Sequence, residues 1–251
     1  MRPKQANCEK GSVKGRNTRT CAYCGKGGIA VTRDHVPPKL LFAKPLPDNM
    51  PTVPCCEFCN AAFKRDDEYT RTVLALDLRA SAHRDVLGSM PMIARSLSYP
   101  QAVGFTRSLL RGSRSTGILA PGGAPVMAMT LSVQRINATG EHIVRGLHYL
   151  ETRKPVDSKS LVLVRSVASW DPPTPLLLAA ARMYRKCLDK RQREVGRAFS
   201  YGVGIRDGKS VWFLLLYGCH LWIATIGDRP GGLAGNSQAA GGDATLDRLM
   251  P

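Results

Sequence analysis

The sequence predicts an α+β protein in which a small cysteine-rich module precedes a larger accessory domain. Two C-x2-C pairs, Cys21/Cys24 and Cys56/Cys59, enclose a short strand-like run and a proline-rich stretch. Beyond residue 80, helix-like segments are interspersed with runs of β-branched residues, which is typical of a mixed fold. We therefore predict four parts: a flexible basic arm over 1–20, the cysteine-rich module over 21–80, an α+β accessory domain over 81–227 and a disordered tail over 228–251.

The composition favours a polyanionic partner. The chain has 251 residues, and 36 Lys and Arg against 19 Asp and Glu give a formal charge of +17. An excess of this size favours nucleic acid, with an acidic membrane surface as the weaker alternative. Its longest apolar run, over 211–226, is interrupted by Tyr217, Gly218 and His220, so we expect no membrane span. The N-terminus lacks the apolar core of a secretory signal, so we expect a cytoplasmic protein with reduced cysteines.

In the cysteine-rich module, "IAVTRDH" over 29–35 predicts a strand because its β-branched residues suit a pleated surface. Five prolines between Pro37 and Pro51 then predict a long irregular loop. A helix is predicted from about Cys56 to about Ala80. Its expected surface contacts are the i,i+4 ion pairs Lys64–Glu68 and Asp67–Arg71.

The accessory domain is predicted to mix helices and strands in the following order: two helices over 84–112, a strand over 126–136, a helix over 139–154, a strand over 160–167, a helix from Pro175 through Arg193, and three strands near 198–205, 210–217 and 221–226. Asp207-Gly208 predicts a hairpin turn between the first two of those last strands. Trp212 and Trp222 lie in strand-like apolar runs, which indicates core positions.

The two cysteine pairs predict a structural zinc site formed by Cys21, Cys24, Cys56 and Cys59. A two-residue gap lets one tight turn, or the first turn of a helix, present two sulfurs to the same ion. All four positions would be filled by protein, so this zinc stabilises a loop-rich segment and does not act on substrate. Cys55 could replace Cys56, but the pair Cys56/Cys59 has the ordinary spacing and is favoured.

An Asp-His dipeptide, Asp34-His35, lies between the two cysteine pairs, and Asn60 directly follows the second pair. The order C-x2-C, Asp-His, C-x2-C-Asn resembles the HNH (ββα-metal) endonuclease superfamily, in the zinc-knuckle subtype of phage endonuclease VII. "DHVPP" over 34–38, the stretch 49–54 and "DDEY" over 66–69 are similar to uncharacterised bacterial members of that superfamily. The resemblance covers about residues 21–70 and implies a treble-clef-like ββα-metal module.

The resemblance also implies roles for individual residues. His35 would be the general base that activates water, while Asp34 and Asn60 would hold one catalytic Mg²⁺ or Mn²⁺ ion. Many members carry a second histidine at the position of Asn60. Asn49 is the best match to the asparagine that supports the loop behind the catalytic histidine. Asp66 and Asp67 could assist the metal, but exposed pairing with Lys64 and Arg71 is favoured.

Four basic residues on the helix after Pro175 are expected to contact nucleic-acid phosphates: Arg182, Arg185, Lys186 and Lys190. A solvated helix face is the alternative for these residues. Arg145 is interpreted as either a site residue or a packing residue. His83, His142, His148 and His220 show no ligand spacing and are expected to be packed or surface histidines.

The main hypothesis is therefore a metal-dependent endonuclease acting on DNA. A zinc-containing nucleic-acid-binding module without catalysis is the first alternative. A nuclease effector of a toxin or defence system is the second, and it differs in biological role more than in chemistry. RNA as the substrate, the preferred substrate structure and the oligomeric state stay open.

Overall fold

A computed structural model describes residues 18–120, 122–167, 193–206 and 208–228 of the chain. Its described part contains helices and strands in both the cysteine-rich module and the region that follows, as predicted. The strands are β1 (Thr18–Arg19), β2 (Ile29–Ala30), β3 (Thr32–His35), β4 (Thr52–Cys55), β5 (Arg114–Leu119), β6 (Pro125–Ala128), β7 (Ser160–Val167), β8 (Arg193–Val195), β9 (Phe199–Arg206), β10 (Lys209–Leu216) and β11 (His220–Asp228). The helices are α1 (Glu57–Ala75), α2 (Arg84–Ser98), α3 (Val103–Arg111) and α4 (Val133–Thr152), and short 3₁₀ turns cover Lys39–Leu41, Leu78–Ala80 and Pro100–Ala102.

The cysteine-rich module is built from two small antiparallel pairs and one helix. β1 pairs with β2, and β3 pairs with β4 so that Thr32 lies opposite Cys55 and His35 opposite Thr52. Helix α1 starts immediately after β4, with Cys56 as its N-cap. β3, β4 and α1 thus follow one another in the order strand, strand, helix.

A five-stranded antiparallel sheet follows, with the strand order β7-β11-β10-β9-β8. Arg206 pairs with Lys209, so two residues connect β9 to β10 where the hairpin turn was predicted. Trp212 and Trp222 are fully buried, which confirms their assignment to the core. The three strands predicted over the C-terminal apolar runs are also confirmed, as β9, β10 and β11.

Helix α4 packs against α1 on one side and against β7 and β11 on another. Two glycines permit this close approach. A Cβ atom on Gly140 would lie 2.5 Å from Val164 Cγ1 of β7, and a Cβ atom on Gly146 would lie 2.5 Å from Val36 Cγ2. Such distances are shorter than carbon atoms tolerate, so α4 can touch the sheet and the end of β3 only because these positions lack side chains.

Several element boundaries differ from the prediction. Helix α1 ends at Ala75, and a separate 3₁₀ turn covers Leu78–Ala80. The strand predicted over 126–136 was wrong in its second half, because β6 ends at Ala128 and α4 begins at Val133. Ile136, Ile143 and Leu147 of α4 are buried at helical spacing, and this burial outweighs the strand preference of the branched residues before them.

Several predictions concern parts of the chain outside the described residues: the helix from Pro175 through Arg193, except for Arg193 itself, the tail over 229–251 and most of the basic arm. The last residues of that arm are described, and Thr18–Arg19 form β1. Among the described helices, none combines the length and the apolar character that crossing a membrane requires.

Candidate functional site

The four predicted cysteines come together in space. The sulfur atoms of Cys21, Cys24, Cys56 and Cys59 all lie within 4.8 Å of one another, and those of Cys24 and Cys56 are 4.0 Å apart. Tetrahedral zinc with Zn–S bonds of about 2.3 Å requires sulfurs about 3.8 Å apart. The donor set and its spacing therefore fit one zinc ion. Within the described residues, no other group of three or more His, Cys, Asp or Glu side chains is arranged to hold a metal.

Local backbone structure positions these sulfurs. The backbone N–H of Gly25 donates to the carbonyl of Cys21 at 3.0 Å, which closes a tight turn, and Gly25 has a φ of +73°, a conformation that favours glycine. On the other side, Cys56 caps α1 and its sulfur accepts from the N–H of Cys59 at 3.4 Å. Cys24 is exposed while the other three ligands are buried, so the cluster lies at the edge of the module.

Cys55 is a neighbour of the cluster and not one of the four grouped sulfurs. It is fully buried, and its thiol donates to the carbonyl of Cys56 at 3.3 Å. Hydrogen bonds with Cys55 and Cys59 hold the pKa of Cys21 far below its ordinary value. The hydrogen bond with Cys21 and burial raise the pKa of Cys55. The neighbouring thiols and burial raise the pKa of Cys59 as well, so the position of the sulfurs, and not the direction of these shifts, separates Cys55 from the four grouped cysteines.

A buried polar network surrounds Asp34. Its Oδ2 atom accepts a hydrogen bond from the Tyr23 hydroxyl at 2.6 Å and lies 2.8 Å from Nε2 of His142. The other ring nitrogen of His142, Nδ1, lies 3.1 Å from Oδ2 of Asp67. His142 therefore bridges two carboxylates, one on β3 and one on α1.

The two carboxylates determine the charge state of this network. Burial alone would lower the pKa of His142, but its hydrogen bonds to Asp34 and Asp67 raise that pKa to about 9. Burial of Asp34 opposes ionisation, yet the hydrogen bond and charge of His142 outweigh it and lower the pKa of Asp34. Burial and the negative charge of Asp34 raise the pKa of Tyr23. At neutral pH the network thus contains ionised Asp34, a protonated His142 and a neutral tyrosine.

One face of α1 covers this network. Asn60, Phe63 and Asp67 are spaced i, i+3 and i+7 and therefore lie on the same side of the helix. The amide Nδ2 of Asn60 lies 3.5 Å from Oγ1 of Thr32 in β3. Phe63 stacks on His142 with ring centroids 3.9 Å apart, and Asp67 contacts the same imidazole. Asn60 thus reaches the strand that carries Asp34 and His35, as the sequence predicted.

Asp34 and His35 leave β3 in different directions because successive side chains of a strand point to opposite faces. Thr32 and Asp34 share the face that meets Asn60 and His142. His35 is the last residue of β3, lies opposite Thr52 and is half-buried. The structure therefore brings Asn60 to the Asp34 face of β3, while His35 lies on the other face at the end of the strand.

Asn49 forms hydrogen bonds with a part of the chain far from it in sequence. Its Nδ2 donates to the carbonyl of Glu194 at 2.8 Å, and its Oδ1 accepts from the N–H of Gly196 at 3.1 Å. These bonds connect the loop between β3 and β4 to the turn between β8 and β9. They hold the loop that follows His35 and make no contact with His35 itself.

The expectation that Asp66 and Asp67 are exposed partners of Lys64 and Arg71 was wrong. Asp67 is buried and contacts His142, and Asp66 pairs with Arg135 of α4 at 2.8 Å. Arg71 is buried as well and pairs with Glu68 at 3.8 Å. The i,i+4 spacing predicts only contacts within one helix. Because α4 packs on α1, Asp66 and Asp67 instead pair with Arg135 and His142 of α4.

The predicted phosphate-contacting residues Arg182, Arg185, Lys186 and Lys190 lie outside the described residues. Arg145, the other basic residue considered, forms an ion pair with Glu141 at 2.8 Å on α4. The positive charge of Arg145 is therefore paired with a negative charge on the same helix.

Sequence reasoning missed the partners of His142. It was expected to be a packed or surface histidine, and it is packed, but no sequence pattern indicated its contact with Asp34, 108 positions away. The nearby Gly146 is the helix position that lets α4 approach Val36 and Tyr23.

Comparison with known proteins provides no relative: no family model matches the chain, and neither a curated protein nor a solved structure shows significant similarity to it.

Proposed function

We propose that this chain is a metal-dependent endonuclease of the HNH type that hydrolyses phosphodiester bonds in DNA. One observation carries the proposal. Helix α1, anchored beside the four-cysteine cluster, directs Asn60 to the face of β3 that carries Asp34. Neighbouring helix residues point about 100° apart, so Cys59 can face the zinc while Asn60 faces the strand.

The donor atoms fit a hard divalent cation. Asp34 and Asn60 would hold a Mg²⁺ or Mn²⁺ ion, because both cations prefer carboxylate and amide oxygens. Oδ2 of Asp34 is already bonded to Tyr23 and His142, so Oδ1 is the oxygen that Asp34 would offer. Nδ2 of Asn60 is the atom that contacts Thr32, which leaves the carbonyl oxygen Oδ1 as its donor. When bound, such an ion would neutralise the negative charge that develops on the phosphate.

His35 would act as the general base. A neutral imidazole takes up a proton readily near neutral pH, so it can remove a proton from an attacking water molecule. His35 is half-buried and is the last residue of β3. Strand alternation directs its side chain to the face opposite Asp34, so the imidazole would have to turn around the end of the strand to reach water beside an ion held by Asp34 and Asn60.

Tyr23, His142 and Asp67 would act on the site through Asp34. Tyr23 and His142 both bond Oδ2 of Asp34 and fix the orientation of its carboxylate. Asp67 holds the opposite nitrogen of His142, and the positive imidazole keeps Asp34 ionised. A carboxylate held in this way does not need to reorganise when it binds a cation, which is the ordinary role of a residue behind a metal ligand.

A second function is supported by the same carboxylate. Because Oδ2 of Asp34 is bonded to two protein groups, Asp34 could instead hold the module together. The chain would then be a zinc-containing nucleic-acid-binding module without catalysis. Its charge of +17 suits a nucleic-acid partner under either function.

The test is a nicking assay on supercoiled plasmid DNA. Purified zinc-loaded protein is incubated with no added divalent ion, with Mg²⁺ or with Mn²⁺. The nuclease proposal predicts nicking only with the added ion, and a loss of about a hundredfold or more in rate in Asn60→Ala. Lys64→Ala, an exposed position one turn further along α1, is the matched control and should nick at the wild-type rate.

The non-catalytic alternative predicts the opposite result. Wild-type protein would then bind plasmid DNA but leave it supercoiled with either ion. Nicking that does not depend on the ion, or that is equal in wild type and Asn60→Ala, would also contradict the metal assignment.

A further inference from the structure

The region from α2 to the start of α4 has an unusual charge pattern. Residues 86–140 contain no Asp and no Glu, whereas they contain five arginines. Arg135 pairs with Asp66, which leaves Arg95, Arg107, Arg111 and Arg114. All four are exposed, and within the described residues none of them forms an ion pair or a side-chain hydrogen bond.

Two of these arginines line a groove. Arg107 and Arg111 are one turn apart on α3 and lie beside a shallow, open groove that Leu97, Val103 and Leu110 also line. Leu110 is 63% exposed. The groove thus combines an apolar wall with a cationic rim.

A β-hairpin continues from this groove. β5 starts at Arg114, pairs with β6, and has all six of its residues exposed, so neither of its faces packs on the core. Ile118 and Leu119 are 61% and 65% exposed near its tip. Most of the large hydrophobic side chains that are exposed in the described part of the chain lie between Leu87 and Val133. A concentration of this kind marks an interaction surface.

We propose that α3 and the β5–β6 hairpin form a docking arm for duplex DNA. The absence of carboxylates and the unpaired arginines provide the charge complementarity: Arg107, Arg111 and Arg114 would bind phosphates, which positions the arm without selecting a sequence. A two-stranded ribbon fits a DNA major groove about 12 Å wide, where Ile118 and Leu119 would make apolar contacts with base edges. This inference rests on the proposed function, because it names a surface that would bind the same DNA that the nuclease site would cut.

The test measures binding without cleavage. Fluorescence anisotropy of a labelled DNA duplex is followed for the full chain without added divalent ion, at salt concentrations from about 50 to 200 mM. In Arg107→Ser/Arg111→Ser, the Kd should rise about tenfold or more and the slope of log K against log salt should fall by about two. In Ile118→Ser/Leu119→Ser, the Kd should rise while that slope stays unchanged, because apolar contacts release no counterions.

The matched control is Lys154→Ser/Lys159→Ser, which removes the same charge from two exposed positions after α4. It should keep the wild-type slope. Equal slopes in the Arg107→Ser/Arg111→Ser protein and the wild type would overturn the inference. The inference would also be overturned if the Arg107→Ser/Arg111→Ser or Ile118→Ser/Leu119→Ser protein kept full DNA affinity but no longer bound anionic phospholipid vesicles. A change in oligomeric state with unchanged DNA affinity would overturn it too. This experiment measures binding and not cleavage, so its result is independent of the nuclease test. Loss of DNA binding in the arginine variant would support the docking arm even if the protein cut no DNA, and unchanged binding would refute it even if the protein did.

Discussion

Nε2 of His142 lies 2.8 Å from Oδ2 of Asp34, although the two residues are 108 positions apart and belong to α4 and β3. The opposite ring nitrogen contacts Asp67 of α1. One side chain of α4 therefore connects the strand and the helix of the cysteine-rich module.

The first prediction concerns removal of the bridge. His142→Gln leaves Asp34 and Asp67 as buried carboxylates without a cationic partner, and loss of one partner of a buried ion pair costs about 3–5 kcal/mol of unfolding free energy. Urea unfolding of the zinc-loaded protein measures the loss. Adding Asp67→Asn should restore part of the stability, because it removes one of the two uncompensated charges. Strictly additive effects of the two substitutions would show that His142 and Asp67 do not interact.

The second prediction concerns pH. The pKa of His142 is raised from 6.5 to about 9, so folding favours its protonated form. Its contribution to stability is fully present below pH 6.5 and is lost as the pH rises through about 9. The difference in unfolding free energy between wild type and His142→Gln should therefore shrink across this range. A difference that stays constant or grows with pH would contradict the charge assignment.

The third prediction concerns the close approach of α4 to the end of β3. Gly146→Ala places a Cβ atom 2.5 Å from Val36 Cγ2, so the helix must move. Overpacking of this kind costs about 1–3 kcal/mol. Gly104→Ala on α3 is the matched control, because a Cβ atom there meets nothing within 4 Å, and it should be neutral or stabilising. Thermal unfolding should show a lower unfolding temperature for Gly146→Ala than for Gly104→Ala. Adding Val36→Ala to Gly146→Ala should restore part of the lost stability, because it removes the side chain that the new Cβ atom meets.

The fourth prediction concerns zinc. Elemental analysis should find about one zinc ion per chain, because four cysteine sulfurs form one tetrahedral site. Cys24→Ser should lose most of the metal and lower the unfolding temperature, since metal binding contributes to folding. Cys55→Ser is the control and should retain the ion. If Cys24→Ser kept its zinc and Cys55→Ser lost it, Cys55 and not Cys24 would be the fourth zinc ligand.

Local patterns predicted the parts of the site that neighbouring residues determine. The spacing of Cys56 and Cys59 indicated a helix start, and the resemblance implied that Asn60 of this helix would lie near Asp34 of the strand. The strand patterns of β9, β10 and β11 were equally readable because alternation and turn residues are local signals.

The parts that were missed depend on long-range packing. Asp67 and Arg71 have the i,i+4 spacing of a surface ion pair, and nothing local reveals that Asp67 contacts His142 of α4 or that Arg71 contacts Ser96 of α2. His142 has no neighbour at ligand spacing, because its partners come from a distant strand and another helix. Asn49 similarly bonds to residues near 195 that no sequence pattern connects to it.

The proposed nuclease site requires His35 to activate water. Single-turnover nicking of supercoiled plasmid by His35→Gln tests it most directly, because glutamine keeps the size and hydrogen bonding of histidine but cannot act as a base. Thr52→Ala, which changes the residue opposite His35 across β3 and β4, is the control for strand structure. His35→Gln should slow nicking about a hundredfold or more, while the nicking rate of Thr52→Ala should stay within a few-fold of the wild-type rate. Equal rates for His35→Gln and wild type would contradict the proposed role of His35.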